Sequence, residues 1–336
     1  MRFIIIAIIS LFIFARDIYA EGQIRIVGSS TVYPFSASVA EHLGKIGDYR
    51  TPIVEATGSG AGIKLFCDGV GKNFPDVANS SRVMLPIEKE QCIKHSVNKF
   101  IEIKFGYDGI TLANSLKGEL FNLSRKQIFL ALAREIIKDG KIVKNDYKRW
   151  SDIDKSLPDV PIKIYGTPPV SGTYDTFIDL VMKKGCMQVP EFAAIKDEKE
   201  RDRKCKGLRE DGVFVEAGEN GNLIAQKLIG DSNSLGIIGF NFLDQNMQKL
   251  QGSIIDGQAP SFDAIQNGVY PISRPLFFYI KGENLSQKAA IKEYVREFLS
   301  EAAIGDEGYL INQGLIPLLE EERKQIRKNI FQEIGE

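Results

Sequence analysis

Histidine is almost missing from this chain: its 336 residues include two, His42 and His95. A paired-histidine metal site or a histidine-based triad therefore has little to build on. His42 falls on a predicted helix and His95 in a charged segment, so both read as structural or exposed. Cysteine is scarce as well, with Cys67, Cys92, Cys186 and Cys205 at a spacing that fits no zinc pattern. The 43 basic and 44 acidic residues leave a net charge of −1. No global field then recruits nucleic acid or anionic lipid, and a bound anion must be held by local geometry. Heptads, solenoid-length repeats and low-complexity tracts are absent, and the single tryptophan, Trp150, reads as a packing anchor. The one long apolar run, Phe3 to Phe14 behind Arg2, is too short to span a bilayer. It reads as a secretory signal over residues 1–20, with cleavage expected after Ala20. No cysteine lies near that point, which argues against a bacterial lipid anchor. The expected mature protein is soluble and exported, most simply to a periplasm. An even cysteine count in an oxidising compartment favours two disulfides, with three pairings open. Sequence-local pairing, Cys67–Cys92 and Cys186–Cys205, is the expectation.

What is present is ordinary globular material, 43% apolar and 26% charged, enough for two domains. Within it one arrangement recurs. Pro52-Ile53-Val54-Glu55-Ala56 is β-prone and leads into Gly58-Ser59-Gly60-Ala61-Gly62, after which Ile63, Phe66, Cys67 and Val70 share a helical face. A glycine turn of this kind either packs a helix on a sheet or presents its free N–H groups, with the helix dipole behind them, to an anion. The chain repeats the unit. Gln23 to Val27 reads as a strand, then Gly28-Ser29-Ser30-Thr31, then a helix through Phe35, Val39, Leu43 and Ile46 with Pro34 in its first turn. Pro161 to Gly166 is the third strand, followed by Ser171-Gly172-Thr173 and a helix through Tyr174, Phe177, Leu180 and Val181, with Asp175 in its first turn.

Other segments read more simply. Phe100–Phe105 and Ile110–Asn114 are predicted as two strands separated by Gly106-Tyr107-Asp108-Gly109. Ser124 and Gln127 form a capping-box pattern before a helix through Ile128, Leu132 and Ile136. The stretch from Lys196 to Asp211 mixes both signs of charge and reads as a solvated excursion fastened by Cys186–Cys205. Leu235–Phe240 and Leu276–Ile280 read as buried strands, and helices near Ile291–Leu299 and Gln325–Ile334 close the chain.

Strands alternating with helices predict α/β layers with mainly parallel sheet, and ligands there sit beyond the carboxyl ends of strands. Those ends carry Ser30 and Thr31, Ser59, and Ser171, Gly172 and Thr173. Pro75 to Arg82 adds Ser81 and a guanidinium suited to a tetrahedral oxyanion. No histidine adjoins any of the serines, and no G-K-[ST] follows the glycines. Turns rich in donors and poor in acid–base partners describe a receptor and not an enzyme.

Gly28-Ser29-Ser30-Thr31-Val32-Tyr33-Pro34, the Gly58-Ser59-Gly60 turn, Asp76 to Arg82, Tyr107-Asp108-Gly109, Trp150-Ser151-Asp152-Ile153, Ser171-Gly172-Thr173 and Tyr270-Pro271-Ile272-Ser273-Arg274-Pro275-Leu276 occur in this order. Together they resemble the periplasmic phosphate-binding proteins of high-affinity phosphate ABC transporters, over nearly the whole mature chain. The resemblance implies an α/β, two-lobed type II periplasmic-binding-protein fold, each lobe a mixed, mainly parallel sheet flanked by helices, with the ligand cleft between lobes. It implies a discontinuous first lobe, 21–105 with 271–336, and a second lobe, 106–270. It implies inorganic phosphate held by Ser30, Thr31, the Val32 N–H, Ser59, Ser81, Arg82, Ser171, Gly172 and Thr173. A monomer delivering phosphate to membrane-embedded permease subunits, with no cofactor and no metal, completes the expectation. Sulfate or molybdate binding and an exported phosphoesterase are the alternatives. Some members carry an aspartate where Ser81 stands and an arginine where Thr167 stands, so Arg82 is expected to be the only close cation. Phosphate keeps a proton near neutral pH and sulfate does not, so a carboxylate acceptor selects phosphate. Asp175 is the expected acceptor, with Asp108 as second choice.

Overall fold

A computed structural model describes residues 23–46, 49–169, 171–218 and 220–335. The expected signal segment lies outside the described residues. No helix among the described residues is long and apolar enough to cross a membrane.

Among the described residues, ten strands form one continuous sheet: β1 (Arg25–Gly28), β2 (Ile53–Ala56), β3 (Val77–Ser80), β4 (Phe100–Ser115), β5 (Ile164–Gly166), β6 (Phe214–Glu216), β7 (Leu235–Gly239), β8 (Leu250–Gly252), β9 (Ser273–Lys281) and β10 (Ile316–Pro317). Their order is β2-β1-β3-β9-β4-β7-β5-β6, with β8 and β10 also pairing to β4. Pairs at the two ends of this path are parallel, and every pair involving β4 or β9 is antiparallel.

The hydrophobic core divides along the same line. One cluster gathers Ile26, Val39, Phe105, Phe278 and Phe298, joined on the other side of the sheet by a smaller one around Phe66, Cys92 and Tyr279. Another gathers Leu112, Phe129, Trp150, Phe177, Phe192, Ile237 and Tyr270. The molecule is a two-lobed, mixed α/β structure whose lobes share β4 and β9. Trp150 is fully buried, with Phe121 at 5.5 Å between ring centroids, the packing role expected of it.

Three sequence expectations need correction. Phe100–Ser115 is one strand of 16 residues, unbroken at Gly106-Tyr107-Asp108-Gly109. The glycines there make room instead of a turn: a Cβ on Gly106 would sit 2.5 Å from Leu315, and one on Gly109 2.7 Å from Ile265. The Ser124 helix, α4 in a count that begins with α1 (Tyr33–Ile46), α2 (Ser59–Cys67) and α3 (Pro86–Lys94), stops at Leu132. Ile136 lies beyond it in a hairpin, Glu135–Lys138 paired with Lys141–Lys144. Asp139-Gly140, both at positive φ, forms the tip, a turn chemistry that overrides the helical spacing. The charged excursion contains a helix, Glu198–Lys206, whose first N–H groups bond the Asp197 carboxylate. Both expected disulfides form, Cys67–Cys92 and Cys186–Cys205.

Candidate functional site

A cleft of about 720 Å³ opens where the carboxyl ends of the parallel strands meet between the lobes. Each of the three repeated units delivers a helix start to this region. At the first, the Tyr33 N–H bonds the Ser29 carbonyl at 2.9 Å and begins α1. Gly28 has φ of 133°, and a Cβ there would lie 2.1 Å from the Asn79 carbonyl oxygen. At the second, Gly62 packs directly on Gly28, where a Cβ would approach the Gly28 Cα to 2.3 Å. Gly58, at φ 83°, has open space around it and lines the cleft with Ser59 and Gly60. The glycine turn thus does both things the sequence allowed: Gly62 seats the helix, and Gly58 and Gly60 bare the backbone. At the third, Ser171 caps α5 (Gly172–Phe177), its Oγ accepting the Thr173 N–H at 3.2 Å.

Of the residues singled out in sequence, Ser30, Thr31, Ser59, Ser81, Arg82 and Asp175 line the cleft together. The Ser59 Oγ accepts the Ser81 N–H at 3.1 Å, which joins the second helix start to the end of β3. The Ser30 hydroxyl donates to the Asp175 carboxylate across the lobes. Thr31 Oγ1 donates to the Gly172 carbonyl at 3.2 Å, also across the lobes. Val32, Ser171, Gly172, Thr173 and Asp108 are not part of this lining. Val32 is fully buried, and its N–H points at the Ser29 Oγ, 3.4 Å away. Gly172 abuts the backbone of Thr31, where a Cβ would come within 2.6 Å of Cα.

Arg82 forms a two-pronged ion pair with Glu88, at 2.7 and 2.8 Å. Burial pushes the Glu88 carboxyl up, but the Arg82 guanidinium and the Leu85 N–H together hold it below the usual carboxylate range. Asp108 accepts the Thr176 hydroxyl at 2.9 Å. Burial raises its pKa, against the opposing pull of Arg274.

Arg82 is not the only close cation. Arg274, Lys183 and Lys184 line the same cleft. Arg274 belonged to a recognised motif, yet nothing local to Ser273-Arg274-Pro275 shows that the β9 register sets it opposite Asp108. The lysines were missed for another reason. After α5 the helix widens into a π turn, Ile178–Met182, before α6 (Lys183–Cys186). The π turn adds Asp179 and Leu180, and α6 adds Lys183 and Lys184, to the lining that Asp175 begins, and Lys183 pairs with Asp179 at 3.0 Å.

Chemically, the cleft offers hydroxyls, backbone N–H groups, two guanidinium groups, two lysine ammonium groups and the carboxylates of Asp175 and Asp179, the latter paired with Lys183. Neither histidine reaches it: His42 stacks on Tyr309 at 4.0 Å, and His95 Nδ1 lies 3.0 Å from the Cys67 carbonyl. Among the described residues, no three or more His, Cys, Asp or Glu gather as a metal ion would require.

The chain is similar to Protein SphX of Synechococcus elongatus, 28% identical over 281 residues that span 82% of this chain and 72% of that protein. It is also similar to the phosphate-binding protein PstS of Staphylococcus haemolyticus, 28% identical over 299 residues, 86% of this chain and 81% of the relative. Its fold matches the crystal structure of a possible phosphate binding protein from Planctomyces limnophilus with a TM-score of 0.73, at 24% identity, over 94% of this chain and 99% of that one. A family model described as PBP superfamily domain matches residues 19–302. With its two lobes, shared sheet and interlobe cleft of the type II form, the chain belongs to the PBP superfamily.

Proposed function

We propose that this protein captures inorganic phosphate between two closing lobes and delivers it to an ABC transporter permease. The observation that carries the reading is the convergence of Ser30, Thr31, Ser59, Ser81, Arg82 and Asp175 on one cleft from separate segments. Each hydrogen bond to a charged group contributes roughly 1.5–3 kcal/mol. Several together exceed the approximately 8 kcal/mol that a micromolar Kd requires. The PstS and SphX similarities support the ligand and the transport setting.

In this reading the Val32 N–H and the Ser171-Gly172-Thr173 helix start complete the donor set as the lobes adjust around the ion. Asp175 accepts the phosphate proton, with Asp108 second. The lobes are 21–105 with 271–336, and 106–270; the separate cores support that division. The protein acts outside the cytoplasm after removal of residues 1–20, as a monomer and without catalytic turnover. The absence of a histidine or metal-type cluster from the described cleft supports binding over phosphoester hydrolysis.

Calorimetry of ligand-stripped protein against phosphate, arsenate, sulfate and molybdate tests this. Phosphate and arsenate should bind comparably, since they share charge, shape and proton, and sulfate should bind far more weakly. Preference for sulfate or molybdate would replace the ligand. Release of phosphate from a phosphomonoester would replace the class.

A further inference from the structure

Arg274 stands on β9 directly opposite Asp108 of β4, where both strands pass from one lobe into the other. It is 9% exposed and lines the cleft. Its Nη2 donates to Thr31 Oγ1 at 2.7 Å, at the first helix start of one lobe, and to Thr176 Oγ1, in α5 of the other. Its Nε has no hydrogen-bond partner among the described residues, and the Asp108 Oδ2 lies 3.6 Å from it, beyond hydrogen-bond range.

We propose that Arg274 is the latch of the cleft: it grips the captured anion while holding Thr31 and Thr176, so that binding and lobe closure become one event. The inference rests on the reading of the cleft as a phosphate site. A guanidinium carries five donors in one plane, and here a single nitrogen bonds one hydroxyl from each lobe, which leaves donors for two oxygens of a tetrahedral anion. Arg82 is less free, since both its terminal nitrogens already bond Glu88. Position matters as much as charge. Arg274 is rooted at the crossover, which moves least when lobes rotate, while its tip reaches the first helix start on one side and the body of α5 on the other. Burying a cation for packing alone would be wasteful, because an apolar side chain fills the same volume without the desolvation cost. Asp108 acts as a positioning residue: it faces the fork from the paired strand and also accepts the Thr176 hydroxyl.

The test uses the mature protein and its Arg274→Gln and Arg274→Lys variants. Phosphate is titrated by calorimetry, and compaction at saturating phosphate is read by small-angle scattering. Arg274→Gln should weaken phosphate binding roughly 30-fold or more, and Arg274→Lys, which keeps the charge but loses the fork, about 10-fold. Both should lose the compaction. A merely structural role would lower the melting temperature without ligand and leave the affinity of the folded protein unchanged. Binding within about 3-fold of the parent, with normal compaction, therefore overturns the latch. If Arg274→Gln does not fold, Arg274→Lys is read by the same criterion. A parent protein that binds no phosphate would sink the reading of the site itself, whereas normal parent binding with indifferent variants sinks the latch alone.

Discussion

Asp175 is a carboxylate among the hydroxyls and N–H groups of the cleft, and Asp179, the other carboxylate of the lining, is paired with Lys183. The Asp175 carboxylate accepts a hydrogen bond from the Ser30 hydroxyl, so the two lobes already touch through a bond in which only the acidic partner cannot donate. A ligand that brings its own proton can take the place of that hydroxyl, whereas a fully deprotonated oxyanion meets charge repulsion. Asparagine at 175 removes the negative charge and adds an N–H donor of nearly the same size. The Asp175→Asn protein should therefore lose at least tenfold of its phosphate-over-sulfate preference, through tighter sulfate and weaker phosphate binding. Titrating the parent, Asp175→Asn and Asp108→Asn with both anions checks this. Equal discrimination in all three would remove a carboxylate from the basis of selectivity.

At the scale of elements, one meeting of the lobes is a helix start pressed on a turn. Gly172 opens α5, and the space a Cβ would fill there is held by the Thr31 backbone and the Ser30 carbonyl carbon. Backbone atoms at 2.6–3.0 Å cannot step aside as a flexible side chain would. Gly172→Ala should thus leave the separate cores intact yet hold the lobes apart. Phosphate binding should fall by roughly tenfold or more, with the far-UV spectrum unchanged. Normal affinity in that variant would mean that the contact opens during binding. The three strand–turn–helix units behind this meeting were legible in the chain, because apolar spacing and small hydroxylated residues sit within a few positions of each other. Ser124 with Gln127 was legible for the same reason, since a capping box is local. The unbroken β4 was not: glycines at 106 and 109 imitate a turn, and only the approach of Leu315 and Ile265 from distant sequence shows why they are small. Arg274 escaped as a cleft residue because register is a property of two strands. The π turn escaped because one added residue in a helix leaves no compositional trace.

For the whole molecule, the shared strands have a thermodynamic result. β4 pairs with β9 from Phe100 to Gly109 and with β7 from Ile110 to Ala113, so it belongs to both lobes at once. Ile316, far along the chain among first-lobe segments, packs into the core of the second lobe. Loss of either lobe would strip β4 of half its partners. Scanning calorimetry should accordingly show one cooperative unfolding transition, with van't Hoff and calorimetric enthalpies in agreement. Two resolved peaks would show that the lobes melt independently.

The matching of Arg82 with Glu88, and of Arg274 with Asp108, has a last consequence, for kinetics. Each guanidinium of the cleft stands beside its own counter-charge, and the whole chain is nearly neutral. Viewed from beyond a Debye length these pairs are dipoles, whose fields fade much faster than that of a net charge. An approaching anion is then not steered in from solution. It diffuses to the mouth unaided and is sorted only at contact, so the arrival rate should respond little to ionic strength while the departure rate carries the selectivity.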